Sequence, residues 1–396
     1  MNSLVRLTLV LVIAWMCDSR AFAAPELFFY PPPIRLADGA LVYSPVTFAP
    51  EQLTSDFPQI DEMSGVVLIA YWSTICPTEN ACNFELIDRV LDYWKARKKK
   101  VVLSIATVGF PIRVYQDGQS RELNATPDWV LRRVTTFSEP SRVITAIGEP
   151  PHQSLAVFPV YNDPSFVSEI RKLVAQLARY DGNSTIAQVR ISAGLLGEDN
   201  PSVDGLKSRM PGFSDTVWTN YCRLMLDIYA EKFHRTQLEF DLGRISWSGA
   251  LGDEAQKRLE ATLITELQNK HALIAFDGLE SSTLSVLEGP VDRKTLGPAR
   301  TLSRLVATKQ KGESIGLESA APLQVPRMND IASIEATIEK IMPSRLVLFG
   351  TDAGIINLAR TGENPTNETT RRFISKDRRS EEGARAINLL KQIGIK

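Results

Sequence analysis

Histidine is almost missing from this chain: 3 in 396 residues, His152, His234 and His271, set far apart. A metal site built on imidazole is therefore not expected, and none of the three stands in a triad context. Cysteine is scarce as well, with 4 residues and no spacing of the zinc or iron–sulfur kind. Neither sign of charge prevails. Lys plus Arg number 45 against 46 for Asp plus Glu, a net charge of −1, which leaves no basic field for nucleic acid. No G-x-G-x-x-G and no P-loop follows an apolar run, which argues against a nucleotide site. No G-x-S-x-G elbow is present either, so a serine nucleophile finds no support. Short-period repeats and low-complexity linkers are also lacking. What remains has 44% hydrophobic and 23% charged residues, ordinary for a globular chain and enough for one large barrel or two common domains.

The N-terminus departs from this evenness. Arg6 precedes the apolar run Leu7 to Met16, and Ala21-Phe22-Ala23 follows. A positive start, a short apolar core and an A-x-A site make a cleavable signal peptide, and the run is too short to span a bilayer comfortably. Residues 1–23 are thus expected to be removed, leaving 24–396 as one folded domain, secreted or periplasmic, with no stable membrane span. Export permits disulfides. Cys76 and Cys82 share one short loop and are expected to pair, whereas Cys222 lies in a helical pattern and reads as a buried free thiol.

Beyond the signal the chain alternates. Gly65 to Trp72 and Val101 to Ala106 are near-continuous apolar runs, the mark of strands buried on both faces. Between them Leu86, Ile87, Val90, Leu91 and Trp94 recur at helical spacing. Strand, helix, strand without a hairpin turn is a βαβ unit. Residues 107–160 read as a long irregular insertion after the third strand. Alternation then resumes, with strands at 186–195, 237–242, 271–277, 313–318 and 345–350, and helices at 163–180, 216–233, 253–269, 291–309, 331–341 and 380–393. The first strand is either Leu27 to Tyr30 or Ala40 to Tyr43. Eight strands in this order predict a single closed (β/α)8 barrel with a long loop after strand three.

In such a barrel every strand ends on one mouth, where catalytic groups collect. Two stretches end there on carboxylates. Ile191 to Asp199 breaks into Gly194 and Gly197 and finishes at Glu198 and Asp199, and Glu313 to Ser319 carries Glu318. Other strand ends offer Trp72, Asp241, Arg244, Trp247, Asp277 and Asp352. Carboxylates bind hydroxyls and stabilise an oxocarbenium-like transition state, and flat aromatic faces pack on sugar rings.

This set resembles the clan of retaining (β/α)8 glycoside hydrolases that includes β-galactosidases, cellulases and mannanases. The resemblance implies Glu198, after strand four, as acid/base and Glu318, on strand seven, as nucleophile. From their places at the strand ends Trp72, Asp199, Asp241, Arg244, Trp247, Asp277 and Asp352 are the expected substrate contacts, with Trp72 alternatively core, Asp199 a turn cap, and Asp241 and Asp277 salt-bridge partners of Arg244 and Arg190. A poly- or oligosaccharide substrate and no metal or organic cofactor are expected. The clan places Asn before the acid/base and an aromatic hydroxyl or His at the end of strand six. Here Gly197 and Phe276-Asp277 stand there, which makes a non-catalytic sugar-binding barrel, or a scaffold in surface-polysaccharide assembly, the alternative.

Overall fold

The computed structural model of the chain describes residues 24–395, apart from 33, 36–40, 43–45, 56, 58–59, 117–118, 144–151, 202–208, 243–252, 280–304, 309–313, 320–330, 362–375 and 393–394. The expected signal segment lies outside these residues, as does most of the helix expected over 291–309. Within that helix Leu305 to Thr308 are helical.

Eight parallel strands close into a ring: β1 (Glu26–Tyr30), β2 (Gly65–Tyr71), β3 (Lys100–Ala106), β4 (Ile186–Arg190), β5 (Gln237–Asp241), β6 (Leu273–Leu279), β7 (Ile315–Ser319) and β8 (Arg345–Phe349). They follow one another round the ring in chain order, and β1 closes it by pairing with β8 (Tyr30 beside Phe349) and with β2 (Phe29 beside Val66). Every residue of β2, β6, β7 and β8 is buried, as strands sandwiched between a barrel core and covering helices require. The chain is a (β/α)8 barrel.

The helices that cover it are α1 (Glu85–Ala96), α2 (Pro164–Leu177), α3 (Asp215–Ala230), α4 (Asp253–Asn269), α5 (Ile331–Ile341), α6 (Gly350–Thr361) and α7 (Lys376–Gln392). Local chemistry sets several of their ends. The Asp163 side chain accepts from the backbone N–H of Ser165 (2.8 Å) and Phe166 (3.0 Å), and Pro164 sits where its missing N–H costs nothing. Ser214 caps α3 in the same way through Val217. In α1 the apolar stripe Leu86, Ile87, Val90, Leu91 and Trp94 is buried. The three lysines after it serve different ends. Lys98 turns the chain with a φ of 56°, Lys99 reaches back to the Asp61 carbonyl at 3.0 Å, and Lys100 opens β3.

Of the alternatives for the first strand, the barrel takes Glu26–Tyr30, while Leu41–Val42 pairs with Ile34–Arg35 in a small antiparallel ribbon. The insertion is not irregular. It holds two antiparallel hairpins, Ile112–Gln116 with Gln119–Leu123 and Thr136–Val143 with His152–Pro159, and a helical turn at Asp128–Leu131. Pro140 hides the second hairpin from a pattern search, yet a two-stranded ribbon has only edge strands, where proline is tolerated.

Cys76 and Cys82 form a disulfide, and Cys222 is a buried free thiol. The bridged loop docks on the insertion: Trp129 Nε1 donates to the Cys76 carbonyl at 3.0 Å, and Arg133 Nη2 donates to Glu79 Oε2 at 2.6 Å. Replacing both cysteines by serine is expected to lower folding stability by about 2 kcal/mol, the loop-closure value for so short a ring. Urea unfolding of the oxidised parent against the double variant checks this, and coincident midpoints contradict it.

Candidate active site

Strand alternation sends every second side chain inward, and the ring interior has two unlike walls. One is apolar: Phe28 and Tyr30 of β1, Val67, Ile69 and Tyr71 of β2, Val102 and Ala106 of β3, and Val347 and Phe349 of β8 pack together. The other is charged. Arg190 of β4 donates through Nε to Glu239 Oε1 of β5 at 2.8 Å and through Nη2 to Glu318 Oε1 of β7. Arg345 of β8 donates through Nη2 to Glu318 Oε1 at 2.8 Å and through Nη1 to Glu239 Oε2. Tyr30 donates its hydroxyl to Glu318 Oε2. The Arg190–Glu318, Arg345–Glu239 and Tyr30–Glu318 contacts join strands that are not neighbours on the ring, so they cross its interior. Asp241 lies at the edge of the network, with Arg190 Nη1 3.5 Å from its Oδ2. Asp277 is paired in register with Glu318.

Glu198 arrives by a different route. β4 ends at Arg190, eight residues earlier, and the segment between folds back on itself. Gly194 N–H donates to the Glu198 carbonyl (2.7 Å), Leu195 N–H to that of Asn200 (3.0 Å) and Leu196 N–H to that of Val108 (2.9 Å). Leu196 and Gly197 both take positive φ, 56° and 91°, which turns the chain sharply just before Glu198. Asp199 N–H then donates to the Asp241 carbonyl at 3.1 Å, and Glu198 lies beside Asp241 in a parallel bridge at the C-terminal end of β5. Both glycines are needed. A Cβ on Gly194 would fall 2.2 Å from the Asn200 carbonyl oxygen, and one on Gly197 would fall 3.0 Å from Ser104 Oγ and 3.2 Å from Arg190 Cδ. An asparagine before Glu198 would be strained at this φ and would press on the Ser104 and Arg190 side chains, which would have to give by a few tenths of an ångström. Gly197→Asn is expected to cost about 1–3 kcal/mol through strained φ and crowding. Thermal unfolding measures it, and a neutral result would mean that Arg190 yields.

The electrostatics follow from burial. Glu318 is 0% exposed, and burial pushes its carboxyl above the ordinary range, opposed by Arg190 and reinforced by Asp277. Burial and then Glu318 push the Tyr30 phenol well up, so it stays a donor. Burial and then Arg190 push Arg345 down to about 9, which leaves it charged at neutral pH. Burial alone would lower Arg190, but Glu318, Tyr30 and Asp241 outweigh it and hold its pKa up.

The structure brings Glu318, Asp241, Asp277 and Glu198 into one electrostatic neighbourhood, since Glu318, Asp277 and Glu198 all act on Asp241. Others go elsewhere. Trp72, expected as a sugar platform, opens a helical turn after β2 and is 2% exposed; it packs against Trp129 and Phe166 in the layer outside the ring. Asp199 is buried; its carboxylate acts on the Cys222 thiol of α3, and its carbonyl accepts from Trp218 Nε1 at 3.2 Å, on the helix side of the loop. Asp352 is buried in the first turn of α6, where its Oδ2 accepts from the Phe349 N–H at 3.1 Å. Arg244 and Trp247 lie outside the described residues. Sequence reasoning missed Glu239, Arg345 and Tyr30 and gave Arg190 only a minor part. A usable signal existed: Glu239 and Asp241 stand two apart on one strand, so they share a face.

Among the described residues, no group of three or more His, Cys, Asp or Glu side chains could hold a metal ion. No helix among them is long and apolar enough to cross a membrane.

Fold and site together define a (β/α)8 barrel with a mixed-charge interior and acids at its C-terminal mouth. No family model and no curated protein matches the chain. Solved structures similar to it include a GH10 endoxylanase retrieved from a sugarcane soil metagenome, at 10% identity over 83% of this chain and 86% of that one, with a TM-score of 0.41. A β-galactosidase from the psychrophilic Marinomonas ef1 shows 11% identity over 93% of this chain and 65% of that one, with a TM-score of 0.45. A morphinone reductase in complex with tetrahydroNAD shows 11% identity over 87% and 90%, with a TM-score of 0.47. At such scores the assignment of the barrel rests on the strand pairing itself.

Proposed function

We propose that this chain is an exported glycoside hydrolase of the retaining kind, acting on a poly- or oligosaccharide. Glu318 attacks the anomeric carbon as the glycosidic C–O bond breaks, and Glu198 gives its proton to the departing oxygen. Glu198 then takes a proton from water, whose oxygen displaces Glu318 and releases the sugar with its configuration kept. Asp241 and Asp277 border the reacting unit. No metal or organic cofactor enters these steps. The supporting observation is the meeting of Glu198 with Asp241 at the strand end where Asp241 also feels Glu318. The retaining reading calls for carboxyl groups roughly 5–5.5 Å apart. The signal-like segment at residues 1–23 supports export.

A second reading is a barrel that binds sugar without cleaving it. Two observations favour it: Gly197 replaces the Asn that would contact a sugar 2-hydroxyl, and Glu318 is engaged by two guanidinium groups and a phenol. A panel of polysaccharides and oligosaccharides assayed for new reducing ends separates the two, with Glu318→Gln as control. Turnover that Glu318→Gln abolishes supports the hydrolase. Calorimetric binding without turnover supports the second reading. Turnover unchanged in the variant defeats the assignment of Glu318.

A further inference from the structure

Among the described residues two guanidinium groups of the barrel interior bridge the same two carboxylates, and Arg345 Nε is buried without a hydrogen bond. Arg190 and Arg345 each hydrogen-bond both Glu239 and Glu318, and two cations with two anions close the count. Asp241 is the carboxyl left over. It is 0% exposed, and neither of its oxygens makes a hydrogen bond. Its contact with Arg190 Nη1, at 3.5 Å, is an ion-pair distance without hydrogen-bond geometry. Around it stand Glu198 from the loop after β4, Asp277 from β6, Glu318 from β7 and Tyr30 from β1. Ionised, Asp241 would be one more buried negative charge among acids, with no donor of its own. A buried carboxyl so placed is cheaper as the neutral acid.

We propose that Asp241 carries a proton at neutral pH and shares it with Glu198, so that the two carboxyls together form the proton-holding unit of the site. The two residues are backbone register neighbours on parallel segments, and the charge of Glu198 acts on the Asp241 carboxyl. Burial first, then the charge of Glu318, push the Asp241 carboxyl well above its ordinary range, and Arg190 opposes them. The use of this proton rests on the hydrolase reading; its presence does not. In that reading the pair starts with one proton. The O–H bond on Glu198 breaks as one forms on the leaving oxygen, both carboxyls are then ionised, and water returns the proton in the second step. Asp241 is a positioning residue, acting through Glu198.

The test is infrared spectroscopy of the full chain with isotope-labelled aspartate. At about pH 7, above the ordinary aspartate pKa of about 3.9, the carbonyl band of a protonated aspartic acid is expected in the parent and absent in Asp241→Asn. In Glu198→Gln the negative neighbour is gone, so the band is expected to titrate away at a lower pH than in the parent. Folding stability gives a second readout. A carboxyl whose folded pKa is raised contributes fully below the unfolded value, and that contribution is lost as pH climbs toward the folded one. Asp241→Asn should therefore gain stability relative to the parent as pH rises above about 4, the unfolded aspartate value. The proposal is overturned by no protonated band at pH 7, by a band that survives Asp241→Asn, by one whose titration ignores Glu198→Gln, by parallel stability curves, or by an Asp241→Asn chain that does not fold. None of these readouts needs turnover, so a failed hydrolase reading and a failed proton assignment give different results.

Discussion

Arg190→Met is expected to cost about 3–5 kcal/mol of folding stability, the usual penalty for removing one partner of a buried charge network. Arg190 is 1% exposed and serves Glu239 and Glu318 by hydrogen bonds and Asp241 by proximity. Among the described residues its loss leaves Arg345 as the single guanidinium bonded to Glu239 and Glu318. Methionine fills most of the volume, so the loss reports charge and hydrogen bonding, with little from a cavity. The pH dependence has a definite sign. Glu318 already titrates above its ordinary range through burial, opposed by Arg190, and removing Arg190 raises it further. A carboxyl with a raised folded pKa is harmless below its unfolded value, about 4.3 for Glu, and destabilising above it. The deficit should therefore shrink as pH falls through the carboxylate range and widen toward neutrality. Urea unfolding of parent and variant at several pH values measures both. A deficit below about 1 kcal/mol, the range of exposed pairs, would mean that the interior carboxyls are already protonated or otherwise satisfied.

The second large effect concerns chemistry. Glu318→Gln should bring hydrolysis down to background, because an amide oxygen cannot form the glycosyl ester on which a retaining mechanism depends. Glu198→Gln should lower turnover by about 10²–10⁴-fold, the range for a lost general acid. An aryl glycoside with an acidic leaving group separates the two. Its departure needs no proton, so the first step survives Glu198→Gln and still fails in Glu318→Gln. Stability must be followed alongside, since Glu318 also answers two guanidinium groups and Tyr30. The variant takes an anion from two buried guanidinium groups, so a lower unfolding midpoint is expected too, and the loss of activity is read where the variant is still folded. Residual turnover at the parent rate in Glu318→Gln would remove it as nucleophile.

Much of the barrel is legible in the chain because its signals are short-range. Gly65 to Tyr71 is apolar at every step, and α1 repeats Leu86, Ile87, Val90, Leu91 and Trp94 at helical spacing, so each segment announces its own surroundings. Segments whose signals are weak or mixed were misread. Pro140 disguised a hairpin strand. The run at 186–195 looked like one strand, whereas β4 stops at Arg190 and the remainder folds into the turn that delivers Glu198.

The amino-acid sequence by itself determined the number and order of the strands, the helices that cover them and the acids near the strand ends, because burial on one or both faces is written into local periodicity. Only the tertiary structure decided which of those acids meet. Closure of the ring carries Arg190, Glu239, Glu318 and Arg345 across the interior to one another, while Trp72, Asp199 and Asp352 turn outward into the helical layer or a helix start. Partners up to 288 residues apart in the chain, as Tyr30 and Glu318 are, leave no trace in its local pattern; their pairing is a product of strand stagger and closure.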